Sequence, residues 1–384
     1  MHVQTKRGIA SSLAILVVVI VIVAVIAGVG WSEALTGAKT TTVTGTGGGN
    51  SALVAQAQSE CASASTCLTI ASTVDASDWA SEIAPAFYMD YPFAQGKVNY
   101  QGLTAGQITT EAISDYQANQ VKFDDIWVTE GIVYPVILAG GILDYSTNPL
   151  LSPSSGLNYT GNAVGVNDTF VVTFLSVVVL QYNPSVMATN HLPVPQNWSA
   201  LANPIYKGFI GMQTATSLSA TTGLFYYLYT QMGNSSGQWT TLMNGIAANH
   251  PVITSSSSAT TTNIATGKVA LGPGLYNDCL SAATETPGEI ACKQLSPTPY
   301  NPGVTAITKN APDPAMAQLF LQWTMSAAGQ LALATSNRAP FTSFIANEFH
   351  LVPPNGTVVN SYTNPAIFQN PTAWSTTFKN IFGA

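Results

Sequence analysis

Asn197–Gly223 reads NWSALANPIYKGFIGMQTATSLSATTG, and the fold is decided by how this stretch is punctuated. Trp198 and Leu201 stand three apart on a short helical turn. Asn203-Pro204 ends that turn, because a residue before proline is pushed out of the α region. Lys207-Gly208 then leads into Phe209, Ile210, Gly211 and Met212, an apolar run short enough for a buried parallel strand. A hydroxyl-rich loop follows (Thr214, Thr216, Ser217, Ser219, Thr221 and Thr222), and after it the helical-looking Leu224 to Tyr229. Strand, hydroxyl loop and helix start form the repeating unit of open α/β sheets. Ligands of such sheets sit beyond the carboxyl ends of the strands, near free helix N–H groups.

Toward the N-terminus the same unit recurs. Leu68-Thr-Ile-Ala71 predicts a first strand, Ser72 to Ser77 the loop after it, and a helix opening near Asp78-Trp79. Val98-Asn99-Tyr100 predicts a second strand, with Gly102-Leu103-Thr104 leading to a helix from about Ala105 to Asn119. The third unit is Phe123 to Val128, then Thr129-Glu130-Gly131, then a helix through Tyr134 and Ile137 to Gly140-Gly141. Three such repeats predict a parallel α/β sheet. Val171 to Leu180 is apolar, yet too short and too rich in Ser and Thr to span a membrane. Further on, Gly267 to Leu271 predicts a strand running into Gly272-Pro-Gly-Leu-Tyr276, and Gly303 to Ile307 another. Asp313 is expected to cap a helix with Pro314 in its first turn, and Met316, Leu319, Phe320 and Trp323 mark its buried face. A closing helix is expected at Trp374 to Phe382.

Several blocks carry a resemblance in order and spacing. They are the W..L.NP.YKG.I pattern of Trp198 to Ile210, DDIWVTEG with AGGILDY (Asp124–Tyr145), QYNP (Gln181–Pro184), and AITKNAPDPAMAQLFLQWTMSAAGQ (Ala306–Gln330). Together they resemble the extracellular solute-binding proteins of ABC importers, family 1, the ferric-iron-binding branch in particular. The resemblance spans roughly Leu68 to Pro340. It implies a two-lobed periplasmic-binding-protein-like fold of type II. Residues 61–165 and 305–384 would form lobe 1 and residues 166–304 lobe 2, with Val171–Leu180 crossing between them. It also implies an ABC permease as partner and a small solute or ion as ligand. No cofactor would be required, and any Fe(III) would be transported cargo.

Only 8% of the residues are charged, with 11 Lys+Arg against 18 Asp+Glu and no basic cluster beyond Lys6-Arg7, which argues against nucleic-acid binding. A surface of neutral polar groups depends little on carboxylate ionisation and should tolerate an acidic external medium. Ile9 to Gly30 is uncharged and mostly β-branched, long enough for one transmembrane helix. Lys6 and Arg7 precede it, so the N-terminus is expected in the cytoplasm and the remainder outside. Residues 1–8 would be a leader, since Lys6-Arg7-Gly8-Ile9 resembles the pilin-like leaders of archaeal surface proteins, cut before the apolar segment. A removable secretory signal is the alternative, but its apolar core would be shorter. Residues 31–60, rich in Gly, Thr, Ala and Ser, read as a flexible linker. Cys61/Cys67 and Cys279/Cys292 are two locally close pairs, the arrangement of loop-stapling disulfides in an oxidising compartment; no C-x2-C spacing supports a metal site instead. Sequons at Asn158, Asn167, Asn197, Asn234 and Asn355 are candidate glycosylation sites.

An enzyme would need a nucleophile with a base, a metal cluster or paired acids. His2, His191, His250 and His350 form no such pattern, and neither a G-x-S-x-G elbow nor a Walker loop is present. A binding protein needs loop residues at strand ends. The candidates are Ser72, Thr73 and Asp75 after the first strand, Thr104 after the second, and Thr129 and Glu130 after the third. Ser217 and Ser219 in the hydroxyl loop, Tyr276, and Arg338 after the last long helix complete the set. By resemblance to the ferric-binding branch, Asp75, Glu130 and Tyr276 fall at metal-ligand positions, and hard oxygen donors suit Fe(III). Two positions depart from that pattern: Leu275 stands for the first of two expected tyrosines and Asp75 for the usual histidine. Asp75 also suits a helix N-cap, Glu130 a helix N-terminus, and Tyr276 plain packing. The Ser/Thr loop suits an oxyanion or neutral solute, Trp79, Trp127 and Tyr134 a sugar face, and Arg338 an anion or a helix cap. Ferric iron or a ferric complex leads as the ligand, with an inorganic oxyanion or sugar second. A cell-surface structural glycoprotein built on the apolar helix is the rival from another class, and an anchored hydrolase comes third.

Overall fold

The computed structural model describes residues 51–143, 169–215, 219–232, 236–296, 298–340, 358–360 and 371–383. The expected leader, the apolar stretch 9–30, residues 31–50, Ser217 and the sequons Asn158, Asn167, Asn234 and Asn355 lie outside them. Among the described residues no helix is long and apolar enough to cross a membrane.

The first lobe is built on β1 (Leu68–Ser72), β2 (Val98–Gly102) and β3 (Asp125–Thr129). β1 pairs in parallel with both of the others, as the three repeats require. Each strand runs into a helical segment. Ala76–Asp78 and a wider turn at Trp79–Ile83 lead into α2 (Ala84–Asp90), while α3 (Ala105–Gln117) and α4 (Glu130–Leu138) follow the other two strands. β3 is bordered by β9 (Thr298–Ile307), antiparallel, and β9 by β4 (Val171–Tyr182), also antiparallel.

β4 is the crossing strand. Val171 to Val177 pair with β9, whereas Val178 to Tyr182 pair with β7 (Leu271–Leu275) of the second lobe. That lobe adds α5 (Pro184–Thr189), β5 (Gly211–Gln213), α6 (Ala220–Gln231), α7 (Ser236–Ala248), β6 (Val252–Thr254) and α8 (Ser257–Ala265). It is completed by α9 (Tyr276–Glu285) and β8 (Ala291–Lys293), and β5 and β6 pair in parallel. The chain returns through β9 to α10 (Pro314–Met325), α11 (Ala327–Thr335) and β10 (Ala339–Pro340), which lies against β4 at Phe174 and Leu175. β11 (Val358–Asn360) pairs with the start of β9, and α12 (Pro371–Phe382) closes the chain. Each lobe has its own core: Trp127, Phe87, Phe320 and Trp323 in the first, Trp198, Tyr206, Phe225 and Trp239 in the second. Disulfides join Cys61 to Cys67 and Cys279 to Cys292.

Three elements differ from expectation. The linker does not reach residue 60, because Ser51–Ser63 is helix α1, with Leu53, Ala57 and Cys61 buried on one face. Asp313 stands at the N-cap of α10 but makes no side-chain cap bond. Glu60 of α1 does that work: its two oxygens accept from the amides of Ala315 (3.0 Å) and Met316 (2.8 Å). Finally, α12 falls in the range expected for lobe 1, yet its aromatic face sits on the second lobe. Trp374 meets Trp239 at 5.4 Å and Phe378 meets Phe225 at 5.9 Å.

Candidate functional site

Where the crossing strands meet, Gly303 of β9 lies under the ring of Phe174 on β4; a Cβ there would stand 2.3 Å from ring atoms. That close approach seats Phe174, whose ring lies 5.8 Å from the Arg338 guanidinium carbon. Arg338 arrives there because α11 ends in the left-handed residue Asn337 (φ 59°) and the Arg338 amide donates back to the Leu333 carbonyl at 2.9 Å. The side chain is buried at the seam of the two lobes. Its Nη2 stands 2.9 Å from Asp78 and 3.6 Å from Asp75.

Both carboxylates come from the turn after β1, which the sequence holds with short polar contacts. The Ser72 hydroxyl donates to the Trp127 carbonyl (2.6 Å) and accepts from the Val74 amide (3.0 Å). The Tyr100 hydroxyl donates to the Val74 carbonyl (2.6 Å), and its ring stacks on Trp79 at 4.7 Å. Asp75 and Asp78, three apart at a helix start, therefore face the same way.

A third carboxylate approaches from the second lobe. Asp278 lies in the first turn of α9, where Asn277 Nδ2 donates to it at 2.7 Å and the Ser257 hydroxyl is a further hydrogen-bond partner. As a residue Asp278 is half-buried, but its carboxyl group is surrounded by protein. Burial pushes its pKa up to about 6. The Ser257 bond and Arg338 pull the other way, and the charges of Asp75 and Asp78 add to the rise. Burial also raises Asp78, against the pull of Arg338, and raises Glu82, which feels Asp78 beside it. Arg338 thus pairs with two aspartates of the turn after β1, the nearer being Asp78 and the other, Asp75, largely exposed, and its charge is felt by Asp278 of the second lobe.

The other sequence-predicted residues have local work. Thr104 is the N-cap of α3 in a capping box with Gln107. Ser219 caps α6 in the same way with Thr222. Thr129 occupies the N-cap position of α4 without a side-chain bond, and Thr73 is half-buried in the turn after β1. Asp75 makes no side-chain cap bond, so the N-cap reading gives way to the ion pair. Glu130 is 8% exposed at the start of α4, and burial pushes it up to about 7. Its charge is felt by Tyr134 and Tyr300, whereas Asp75 acts on Asp78, Tyr100 and Asp278. The Tyr276 phenol is half-buried and its pKa is raised by burial. Among the described residues no group of three or more His, Cys, Asp or Glu side chains is arranged to hold a metal ion.

Asp78, Asp278 and Ser257 were not singled out from the sequence. Asp78, i+3 from Asp75, carried the only usable signal. Two surface hollows lie elsewhere: about 360 Å³ beside Val186, Phe209 and Lys268, and about 390 Å³ beside Glu60 and Pro314. Neither includes a residue of the seam.

Comparison with known proteins agrees with this architecture. The model of the bacterial extracellular solute-binding protein family matches residues 93–349. The phosphoglycerate transport regulatory protein PgtC of Salmonella typhimurium is 26% identical over 176 residues, 46% of this chain and 43% of that one, so the match spans less than half of this relative. Among solved structures, the substrate-binding protein of an ABC transporter from Agrobacterium tumefaciens superposes with a TM-score of 0.67 at 13% identity, covering 83% of this chain and 95% of its own. Iron-bound HitA from Pseudomonas aeruginosa superposes with a TM-score of 0.64 at 17% identity, covering 82% and 99%. With more than half its length matched and two lobes joined by paired crossing strands, this chain belongs to the bacterial extracellular solute-binding proteins.

Proposed function

We propose that the chain is the solute-capturing component of an ABC importer, displayed outside the cell. In this reading residues 9–30 anchor it in the membrane, and its two lobes close on a small solute by bending at β4 and β9. A permease in the same membrane then receives the cargo. The observation that carries the reading is the crossing strand β4, which pairs with β9 over Val171–Val177 and with β7 over Val178–Tyr182 and so ties two lobes together in a chain of the solute-binding family.

A ferric ligand on Asp75, Glu130 and Tyr276 finds less support. Asp75 stands beside Arg338, Glu130 lies among tyrosines, and burial disfavours the Tyr276 phenolate. The likeness to iron-bound HitA supports the ferric reading only through the shared fold.

Thermal-shift screening of the full chain against ferric citrate, oxyanions, sugars and amino acids tests the proposal. At a hundredfold excess over Kd, a true ligand should raise Tm by roughly 5 °C or more. X-ray scattering should show the particle contract on binding. A hit without contraction would sink the receptor mechanism. A ferric shift lost in Tyr276→Phe and Glu130→Gln would restore the metal site.

A further inference from the structure

Helix α6 serves two cores. Leu224, Phe225, Tyr227 and Leu228 pack into the second lobe with Trp198 and Tyr206. Tyr226 belongs elsewhere: it is 3% exposed and lies in the first lobe's core, in one cluster with Tyr134, Phe170 and Val304. Tyr229, three residues on and so on the same helix face, packs against both cores. A turn earlier, Gly223 lies against the hinge strand β9, where a Cβ would stand 1.9 Å from the Asn301 side-chain oxygen. A glycine there lets α6 ride directly on β9.

Helix α12 meets α6 at that point. Trp374, Phe378 and Phe382 recur every four residues and form one aromatic stripe. Phe378 and Phe382 stack 4.4 Å apart, and each lies 5.9 Å from Phe225, so this part of the stripe holds α12 on the second lobe. Trp374 reaches further. It meets Trp239 at 5.4 Å, Tyr226 at 5.4 Å and Tyr229 at 5.8 Å, each edge to face, and it packs against both cores. A helix that only covered the second lobe would need Phe225 and Trp239 as partners, not Tyr226.

We propose that α12 is a latch that holds the two lobes together before solute arrives, with Trp374 bracing Tyr226 in the first lobe's core. The proposal rests on the two-lobed receptor reading above and adds the element that sets its resting conformation. Bending at β4 and β9 carries α6 away with the second lobe, and Tyr226 must then leave the first lobe's core. Trp374 opposes that step, so the closed form is already populated and a solute shifts the balance further.

Interlobe distances in the full chain test this. The four native cysteines are taken up in disulfides, so Met89→Cys on the first lobe and Ile205→Cys on the second, both exposed, accept a pair of spin labels. Electron–electron double resonance then reads the open-to-closed ratio without solute. Trp374→Ala should raise that ratio at least tenfold with circular dichroism unchanged. Phe382→Ala, whose ring contacts are with Phe225 and Phe378, should leave it alone. Trp374→Leu keeps the second lobe's core covered and carries the same expectation, in case Trp374→Ala does not fold. An unchanged ratio in the Trp374 variants, an equal rise in Phe382→Ala, or a mainly open distribution before any of these changes overturns the latch. If solutes of the thermal-shift screen still shorten the distance, the receptor reading stands without it. If neither solute nor variant moves the distance, both fall.

Discussion

At Arg338 a single guanidinium lies 2.9 Å from Asp78 and 3.6 Å from Asp75, and its charge is felt by Asp278 of the other lobe. Arg338→Met keeps bulk over Phe174 but leaves those carboxylates without their cation. The expected loss is about 1–3 kcal/mol at pH 7, below that of a fully buried pair because Asp75 and Asp78 reach solvent, and clearly less at pH 4. The difference arises because Asp78 and Asp278, both with raised pKa, lose their charge on acidification. Urea midpoints at the two pH values measure it, and equal losses would mean that packing on Phe174 is what matters. Arg338 and Asp75 were legible in the sequence as rare or loop-borne charges. Asp278 was not, because an aspartate in a first helical turn is already explained by the helix dipole. Only the fold brings it within electrostatic reach of Arg338.

The element that best separates what sequence can and cannot show is α10. Its buried face, Met316, Leu319, Phe320 and Trp323, is written in a 3.6-residue period and was legible. Its cap was not, since Glu60 lies 255 residues upstream of Ala315 and no local pattern encodes such a bond. Helix α1 itself was hidden for a related reason: its buried stripe of Leu53, Ala57 and Cys61 is short and weakly apolar among Ala, Gln and Ser, and it is held by long-range contacts with α10 and by the Cys61–Cys67 bond. Glu60→Ala is therefore expected to cost about 1–2 kcal/mol, the usual worth of a cap. Limited proteolysis should then cut within 51–63, and an unchanged cleavage pattern would show that α1 holds without its carboxylate. Truncation before Pro371 should uncover the faces of Phe225 and Trp239 that Phe378 and Trp374 cover. A lower Tm and new binding of an apolar dye are the expected readouts.

For the whole molecule, the parallel pairing of β1, β2 and β3 followed from the repeated units, whereas the crossing role of β4 came from the family resemblance, and the antiparallel β9 and β4 that make the sheet mixed carry no local signal. The folding of α12 onto the second lobe was not legible either, because long-range returns leave no periodic mark. The carboxylates also act as a set. Burial pushes Asp124 and Glu130 up to about 7 and Asp278 to about 6, while in the unfolded chain such groups titrate near 4. With folded pKa values above unfolded ones, the native state holds more protons, so its advantage is fully present below about pH 4 and is lost as pH rises toward 7. Urea midpoints at pH 4, 5.5 and 7 should therefore fall in that order, in keeping with a chain of 8% charged residues. The opposite order would show that these groups are not shut off from water. One mechanical outcome concerns α1, which is clipped to α10 through Glu60 and stapled to β1 by the Cys61–Cys67 bond. Any pull arriving from upstream of Ser51 lands on the first lobe alone. If residues 9–30 anchor the chain as proposed, the tether would hold one jaw, and the other, carrying Asp278, would bear none of its load.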